Sequence, residues 1–300
     1  MSPASAAMPT LAPFARLVDD AAIFPPGSLP MAQAVPAHAR HRATWYADLV
    51  GPLVCSDDRL ADLQRELDAV DPAAPLSVSV TVSGGAGAIE PAIVWVTRDE
   101  RLHLGGVEVA LRDEDDLRRN AARMATVLEE TLPDDAIAFI EMPRLYADSV
   151  PHGWGAALDE VAAGGYSAKF RTGGAAPDEF PSPAELATVI AACLDREVAF
   201  KCTAGLHHAV RHAAPVTGFE HHGFLNVLLA TRVSLDGADV GDVADLLANS
   251  DSAEVVSRCR DVGPDGLARA RRWFCSFGSC SVDEPVGDLV ALGLLADGQE

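Results

Sequence analysis

The chain has 300 residues, of which 49% are hydrophobic, and it carries a formal net charge of −21 at pH 7. Such a chain can bury a large core, but its acidity disfavours nucleic acid or an anionic membrane as a partner, because both need a basic face. No apolar run is long enough for a membrane-spanning helix. Residues 1–13 also lack the basic and hydrophobic regions of a signal peptide. The sequence therefore predicts a cytoplasmic protein.

Strand patterns alternate with helix patterns in chain order, and the clearest strand is residues 76–83, in which apolar and polar side chains alternate strictly. The predicted strands are residues 14–20, 45–55, 76–83, 103–111, 136–142, two lysine-containing runs at 166–174 and 198–205, and 274–281. The predicted helices between and after them are residues 28–42, 57–70, 86–98, 114–131, 154–163, 182–197 and 283–295.

Regular alternation of eight strands with helices predicts a parallel sheet, and the best fit is a closed (β/α)8 TIM barrel. A doubly wound open sheet is the alternative. The barrel is favoured because Ser77, Ser79 and Thr81 share one face of their strand while the valines share the other. We expect the valines to face the helices, and we treat residues 1–300 as a single barrel domain.

Residues 206–273 interrupt the repeat before the last strand. The segment is longer than a strand–helix loop and is predicted to be helical throughout. We interpret it as a helical insertion that acts as a lid or as an oligomer surface. Its predicted helices are residues 222–233, 240–249, 253–260 and 266–273.

The two lysine runs carry the chemistry of this sequence. Side chains alternate along a strand, so Lys169 and Arg171 share one face, and Lys201 lies on the corresponding face of the next strand. The same alternation turns Glu108 and Glu141 inward on the two preceding strands. We therefore expect these five charged side chains to converge near the C-terminal mouth of the barrel, where active sites of this fold lie.

Two interpretations of this convergence remain open. Neighbouring cations lower each other's pKa, and a lysine that is partly neutral can attack a carbonyl carbon to form a Schiff base. Alternatively, the pairs Lys169–Glu141 and Lys201–Glu108 fill the barrel as a purely structural ion network. Alternation alone does not say which lysine is the nucleophile.

Several short runs between residues 106 and 205, and one near the end of the chain, resemble the class I deoxyribose-phosphate aldolase family, which has a (β/α)8 barrel. The runs are Val107-Glu-Val109, Ile140-Glu-Met142, Lys169-Phe-Arg-Thr-Gly173, Phe200-Lys-Cys-Thr-Ala-Gly205 and Phe277-Gly-Ser-Cys280. The resemblance implies that Lys169 forms the Schiff base, that Lys201 tunes it, and that Glu108 or Glu141 relays a proton.

The sequence also departs from that family. Phe170 and Arg171 replace a pair of small residues, and Glu108 replaces an aspartate. We therefore expect the lysine chemistry to carry over and the substrate to differ. The expected substrate is a small carbonyl compound, either phosphorylated or carrying another anionic group, and no cofactor is expected. The oligomeric state stays open, with a homo-oligomer as one outcome.

Residues around the lysines are expected to bind the substrate. Backbone N–H groups of the glycine turns could cradle a phosphate, whereas Arg171 would hold a carboxylate. Asp283 and Glu284, in the first turn of the last helix, would repel a phosphate placed there. The predicted binding residues are Arg171, Thr172, Gly173, Gly174, Thr203, Gly205, His207 and Ser279.

Five histidines lie between residues 207 and 222. His208 and His212 have the i, i+4 spacing that places two metal ligands on one helix face, with Glu220 or His222 to complete a site. Polar histidines that line the insertion or cap helices are the simpler interpretation. His207 follows the second lysine run directly and is the best acid–base candidate of the five.

Two further predictions concern single residue types. Asp19 and Asp20 end the first strand, where we favour a capping or turn role over a catalytic one. The six cysteines form no CxxC pair and lie in apolar or helical runs, which predicts buried free thiols.

The sequence thus supports three hypotheses. The first is an aldolase-like lyase that forms a Schiff base on Lys169. The second is a metal-dependent TIM-barrel enzyme that uses the cluster from His207 to His222. The third is a barrel that binds a ligand without turnover.

Overall fold

The structure of the protein is a computed structural model, which describes residues 12–70, 74–112, 116–146 and 149–298. Eight parallel strands form a closed barrel, so the predicted fold class is confirmed. The barrel strands are β1 (Val18–Asp20), β2 (Val50–Ser56), β3 (Leu76–Val82), β4 (Leu102–Ala110), β5 (Ile137–Glu141), β6 (Ser167–Arg171), β7 (Phe200–Thr203) and β10 (Phe274–Ser279). Strand β10 pairs with β7 on one side and with β1 on the other, and this closes the barrel.

Helices follow the barrel strands and cover them. They are α1 (Met31–His41), α2 (Leu60–Val70), α3 (Ala86–Thr97), α4 (Leu117–Thr131), α5 (His152–Ala163), α6 (Pro183–Leu194), α7 (Phe224–Leu235), α8 (Val240–Ala248), α9 (Ser252–Ala270) and α10 (Asp283–Ala291). None of the described helices is long and apolar enough to cross a membrane. Residues 1–11 of the N-terminal segment that lacks signal-peptide features lie outside the described residues. Residue 114, where the fourth helix was expected to begin, also lies outside them.

Local sequence signals explain where the helix behind β6 begins. The Ser182 side chain accepts a hydrogen bond from the Glu185 backbone N–H, and the Glu185 carboxylate accepts one from the Ser182 backbone N–H. This reciprocal capping satisfies N–H groups that the first turn of a helix leaves unpaired. It fixes the start of α6 close to the C-terminal end of β6.

The segment between β7 and β10 differs from the prediction. It contains an antiparallel hairpin of β8 (His212–Ala213) and β9 (Glu220–His221) in addition to helices. Phe224 of α7 stacks on Phe277 of β10 with ring centroids 5.0 Å apart. The expectation of an all-helical segment is therefore wrong, and α7 packs on the barrel wall.

Outward-facing aromatic side chains fix the orientation of the lysine strands. Phe170 of β6 stacks on Trp154 of α5 at 6.2 Å, and Phe200 of β7 stacks on Phe274 at 5.6 Å. Because neighbouring residues of a strand face opposite sides, this packing turns Lys169 and Lys201 into the barrel, as predicted.

Candidate active site

A buried carboxylate joins the two lysines. Lys169 and Lys201 are register partners on β6 and β7. The Lys169 ammonium lies 2.8 Å from Oε2 of Glu108, and the Lys201 ammonium lies 2.7 Å from Oε1 of the same residue. The three residues are only 5%, 1% and 3% exposed. Glu108 therefore bridges two cations in the barrel interior.

Each lysine has a second carboxylate. Lys169 Nζ lies 2.8 Å from Oε2 of Glu141, and Lys201 Nζ lies 2.5 Å from Oδ2 of Asp19. Both ion pairs predicted for the structural network are present, together with the pairs Lys169–Glu108 and Lys201–Asp19. Four of the predicted chemical residues thus meet in one cluster, and Asp19 joins them.

Serine hydroxyls and an aromatic ring complete the surroundings. Ser79 of β3 donates to Oε1 of Glu108 at 2.7 Å, and Ser276 of β10 donates to Oδ2 of Asp19 at 2.7 Å. The Phe139 ring centroid lies 5.1 Å from the Lys201 ammonium. These contacts satisfy the buried charges, which would otherwise be costly.

The carboxylates reverse the expected pKa shift of the lysines. Burial lowers the pKa of Lys169, but the charges of Glu108 and Glu141 outweigh it and leave the pKa above its ordinary value. Burial also lowers the pKa of Lys201, and Asp19 and Glu108 raise it by more. The expectation that mutual repulsion lowers a lysine pKa is wrong, because more acids than predicted surround the two amines.

The acids of the cluster shift in different directions. Burial raises the pKa of Glu108, but Lys169 and Lys201 lower it by a larger amount. The pKa of Glu108 therefore lies well below its usual range. Burial dominates at Asp19, where Lys201 offsets it only in part, so its pKa is raised. Glu108 is therefore firmly ionised, and Asp19 is the readier proton acceptor of the two.

Asp19 and Asp20 face opposite sides of β1. Asp19 points into the barrel to Lys201, whereas Asp20 faces α1, where its Oδ2 lies 3.0 Å from Nδ1 of His38. Asp20 also accepts a hydrogen bond from the Ala22 backbone N–H at 3.1 Å. The predicted turn role thus describes Asp20, and it is wrong for Asp19. Sequence reasoning missed Asp19 because consecutive aspartates do not show which one faces inward.

A cavity of about 220 Å³ lies beside the cluster at the C-terminal ends of β4, β5 and β6. Glu141 and Arg171 line it, and Arg171 is half-exposed with Nη1 3.8 Å from Oε1 of Glu141. The lysines themselves do not line this cavity, so Glu141 is its link to Lys169. Its apolar wall includes Leu111, Met142, Leu145, Phe170, Leu186 and Val189.

Gly173 and Gly174, which belong to the predicted glycine cradle, lie in a loop that is closely packed against other parts of the protein. A Cβ on Gly173 would lie 3.0 Å from the Cα of Gly205, so these glycines allow two loops to touch. The Glu179 carboxylate, close to Gly174, accepts hydrogen bonds from the backbone N–H groups of Ala175 and Ala176 at 2.5 and 2.8 Å. These N–H groups are therefore already paired with an internal carboxylate.

Three other predicted binding residues occupy different environments. Thr172 is buried and donates to the Ala204 carbonyl at 2.5 Å, and Thr203 is partly buried at the end of β7. Ser279 is 1% exposed and donates to the Ser281 carbonyl at 2.7 Å. The hydroxyl groups of Thr172 and Ser279 therefore donate hydrogen bonds to the backbone of loops at the barrel mouth.

The histidines do not form a helical metal site. Residues 207–211 lie in a loop and His212 lies in β8, so the i, i+4 helix spacing is absent. His208 contacts Asp288 at 3.2 Å, while His222 is buried and contacts the Pro181 carbonyl at 2.8 Å. Within the described part of the chain, no group of three or more His, Cys, Asp or Glu side chains is placed to hold a metal ion.

His207 lies at the barrel mouth as predicted, with Nδ1 2.8 Å from Oε2 of Glu284. All six cysteines are free, and four are buried as predicted. Cys275 and Cys280 differ from the prediction because they are partly exposed.

A simple count provides a signal that pattern analysis missed. The chain contains 23 basic residues, of which 21 are arginines, and its only two lysines are Lys169 and Lys201. Both lie in the barrel interior. The two positions that use lysine are therefore the two that meet at Glu108.

Comparison of the sequence with protein-family models gives no match, and comparison with curated proteins gives none either.

Proposed function

We propose that this protein is an aldolase-like lyase that forms a Schiff base between Lys169 and a small carbonyl substrate. The observation that carries the proposal is that the only lysines of the chain lie side by side, buried, on one carboxylate. Arginine supplies every other basic side chain and would suffice for an ion pair. Of these two residue types, only lysine readily loses its proton in a protein and acts as a nucleophile.

The surroundings favour Lys169 over Lys201 as the nucleophile. Lys169 contacts Glu141, which lines the cavity, whereas Lys201 is 1% exposed and bound by Asp19 and Glu108. A substrate carbonyl entering beside Glu141 and Arg171 meets Lys169 first. Lys201 then acts through its charge on the shared Glu108, as a positioning residue.

The raised lysine pKa makes a local proton acceptor necessary. In the proposed step, Glu141 takes one proton from the Lys169 ammonium, and the resulting amine attacks the carbonyl carbon. Glu141 returns this proton to the carbonyl oxygen and then transfers a second proton from the nitrogen to the resulting hydroxyl. The hydroxyl leaves as water, and the nitrogen remains a protonated imine. A carbonyl compound and an ammonium thus give an iminium and water, with every atom and charge balanced.

Arg171 gives the site a preference for an anionic substrate. Its guanidinium is half-exposed at the cavity edge, and it lies 3.8 Å from Glu141 rather than in a tight ion pair. Arginine binds carboxylates through two parallel hydrogen bonds. We therefore propose a carbonyl compound that also carries a carboxylate, which Arg171 would bind at the cavity edge.

Borohydride trapping tests the proposal directly. The protein is incubated with a panel of aldehydes and keto acids, reduced with borohydride, and mapped by peptide mass spectrometry. Because the chain has only two lysines, an adduct on a side-chain amine must lie on one or the other. We expect the adduct on Lys169, its loss in Lys169→Met, and its retention in Lys201→Met at a lower rate.

Two outcomes contradict the proposal. An adduct on Lys201 overturns the assignment of the nucleophile. Failure of every carbonyl compound to label either lysine in the folded protein overturns Schiff-base chemistry. Circular dichroism of each variant serves as the folding control.

A further inference from the structure

A second group of reactive side chains lies at the barrel mouth, where the loops that follow β7 and β10 meet the start of α10. Cys280 comes directly after this strand and is partly exposed. Its Sγ lies 3.8 Å from Nε2 and 4.0 Å from Nδ1 of His207. The proposed lyase step uses none of these atoms.

A carboxylate orients the imidazole of His207. Nδ1 lies 2.8 Å from Oε2 of Glu284, in the first turn of α10. A neutral imidazole that donates its Nδ1–H to a carboxylate leaves Nε2 as the proton acceptor, and Nε2 is the ring nitrogen nearer to the sulfur. A nucleophile, a base and a third group that orients the base are the parts of an activated-nucleophile site.

The electrostatics of His207 agree with this geometry. Burial lowers its pKa, but Cys280 and the Glu284 carboxylate raise it by more, so the pKa lies above its ordinary value. A protonated imidazole beside a cysteine stabilises the thiolate, which is the nucleophilic form. A separation of 3.8 Å is long for a hydrogen bond, and such contacts often shorten only when a reactant binds.

The surroundings of Cys280 differ from those of the other partly exposed cysteine. Gly27 packs against Cys280 so closely that a Cβ at position 27 would lie 3.2 Å from Sγ. Glycine at position 27 therefore avoids a tight contact with the sulfur. The Sγ of Cys275 instead lies 3.7 Å from the Trp273 carbonyl, and burial raises the pKa of that thiol.

We propose that Cys280, His207 and Glu284 form a nucleophilic thiol site that is modified by small molecules with an electrophilic carbon. The cysteine thiol passes its proton to Nε2 of His207, and Glu284 stabilises the resulting imidazolium. The thiolate sulfur then attacks the electrophilic carbon, a carbon–sulfur bond forms, and the leaving group departs with the bonding electron pair. This site does not involve Lys169. Its test is therefore independent of the test of the proposed lyase activity.

Iodoacetamide is the probe, because its methylene carbon accepts the thiolate while iodide leaves. The alkylation rate of Cys280 in the full-length protein is measured by peptide mass spectrometry at about pH 7, with Cys275 and free N-acetylcysteine as references. We expect Cys280 to react about tenfold faster than N-acetylcysteine, whose thiol is mostly protonated at this pH. We expect His207→Gln to reduce that rate about tenfold.

His208→Gln is the matched control, because His208 lies next in the chain and contacts Asp288 instead of the thiol. It should leave the rate unchanged. If His207→Gln fails to fold, Glu284→Gln provides the test, because the Glu284 side chain is half-exposed and its replacement should be tolerated. Loss of this carboxylate should slow alkylation severalfold. The proposal is overturned if wild-type Cys280 reacts no faster than N-acetylcysteine, or if the folded variants at 207 or 284 react at the wild-type rate.

Discussion

Lys169 and Lys201 are direct neighbours across β6 and β7, and both ammonium groups contact the single carboxylate of Glu108. Two adjacent cations repel each other unless anions lie between and beside them. The barrel meets this requirement with three acids against two lysines and one arginine. The members of this balanced cluster are Asp19, Glu108, Glu141, Lys169, Lys201 and Arg171.

Replacing Glu108 with glutamine should destabilise the protein strongly. The variant keeps the shape of the side chain but leaves two buried ammonium groups with one carboxylate fewer. We expect the free energy of unfolding to fall by about 3–5 kcal/mol, the usual cost of breaking a buried pair from one side. Urea unfolding at neutral pH measures this change.

Glu160→Gln is the control for that measurement, because Glu160 pairs with the exposed Arg118 at 2.7 Å. Surface pairs of this kind contribute little to stability. Equal effects of the two substitutions would show that the bridging carboxylate has no special role in stability.

Gly51→Ala should also weaken the cluster, although Gly51 carries no charge. A Cβ at position 51 would overlap Oδ1 of Asp19, so Asp19 would have to move away from Lys201. We expect a loss of about 1–3 kcal/mol, as for other overpacked interiors, measured as a decrease in unfolding free energy.

Gly153→Ala supplies the comparison, because Gly153 lies in α5 and a Cβ added there would meet open space. Alanine in place of glycine within a helix usually stabilises by about 0.5–1 kcal/mol. A Gly51→Ala variant as stable as Gly153→Ala would contradict the close approach of Asp19 to β2.

Arg171→Leu should separate substrates by charge if Lys169 acts as proposed. The substitution removes a half-exposed guanidinium at the cavity edge and leaves the lysines untouched. We expect borohydride trapping of keto acids to need at least about tenfold higher concentrations, since a charged hydrogen bond contributes about 1.5–3 kcal/mol. Trapping of neutral aldehydes should stay the same, and a parallel loss for both classes would argue against an anion-binding role.

The alternation of strand side chains is sufficient to predict much of the cluster. Lys169 and Lys201 alternate with the outward-facing Phe170 and Phe200, and the structure confirms their inward orientation. Glu108 lies in β4, a strand of nine residues, which is long enough to show which of its side chains face inward. Periodicity therefore fixes a side chain's direction where an aromatic or valine neighbour marks the outer face.

The same reasoning fails where elements are too short to show a period. Strand β1 has three residues, and its pairing with β2 is irregular between Val18 and Asp20, so alternation does not define the direction of Asp19. Strands β8 and β9 have two residues each, which is too few for alternation. The direction of the lysine pKa shifts could not be predicted either. It depends on the inward orientation of Asp19 and on the distance from each lysine to every acid.

His222 should make stability depend on pH between about 4 and 6.5. Its Nε2 donates to the Pro181 carbonyl at 2.8 Å and its Nδ1 faces Arg211 at 3.5 Å, so the buried ring is neutral. Burial lowers its pKa to about 4, and Arg211 adds to the effect. The unfolded chain binds a proton below its ordinary pKa of about 6.5, whereas the folded protein does not. Stability is therefore complete above that pH and falls by about 3 kcal/mol as pH approaches 4.

His222→Gln tests this assignment, because glutamine can still donate to the Pro181 carbonyl but does not titrate. Urea unfolding is measured at several pH values between about 5 and 7, where carboxyl groups contribute less to the slope. The wild-type protein should lose stability over this range, and the variant should show a flatter profile. His152→Gln, at the exposed start of α5, should keep the wild-type slope. Identical slopes for wild type and His222→Gln would mean that another group binds the proton.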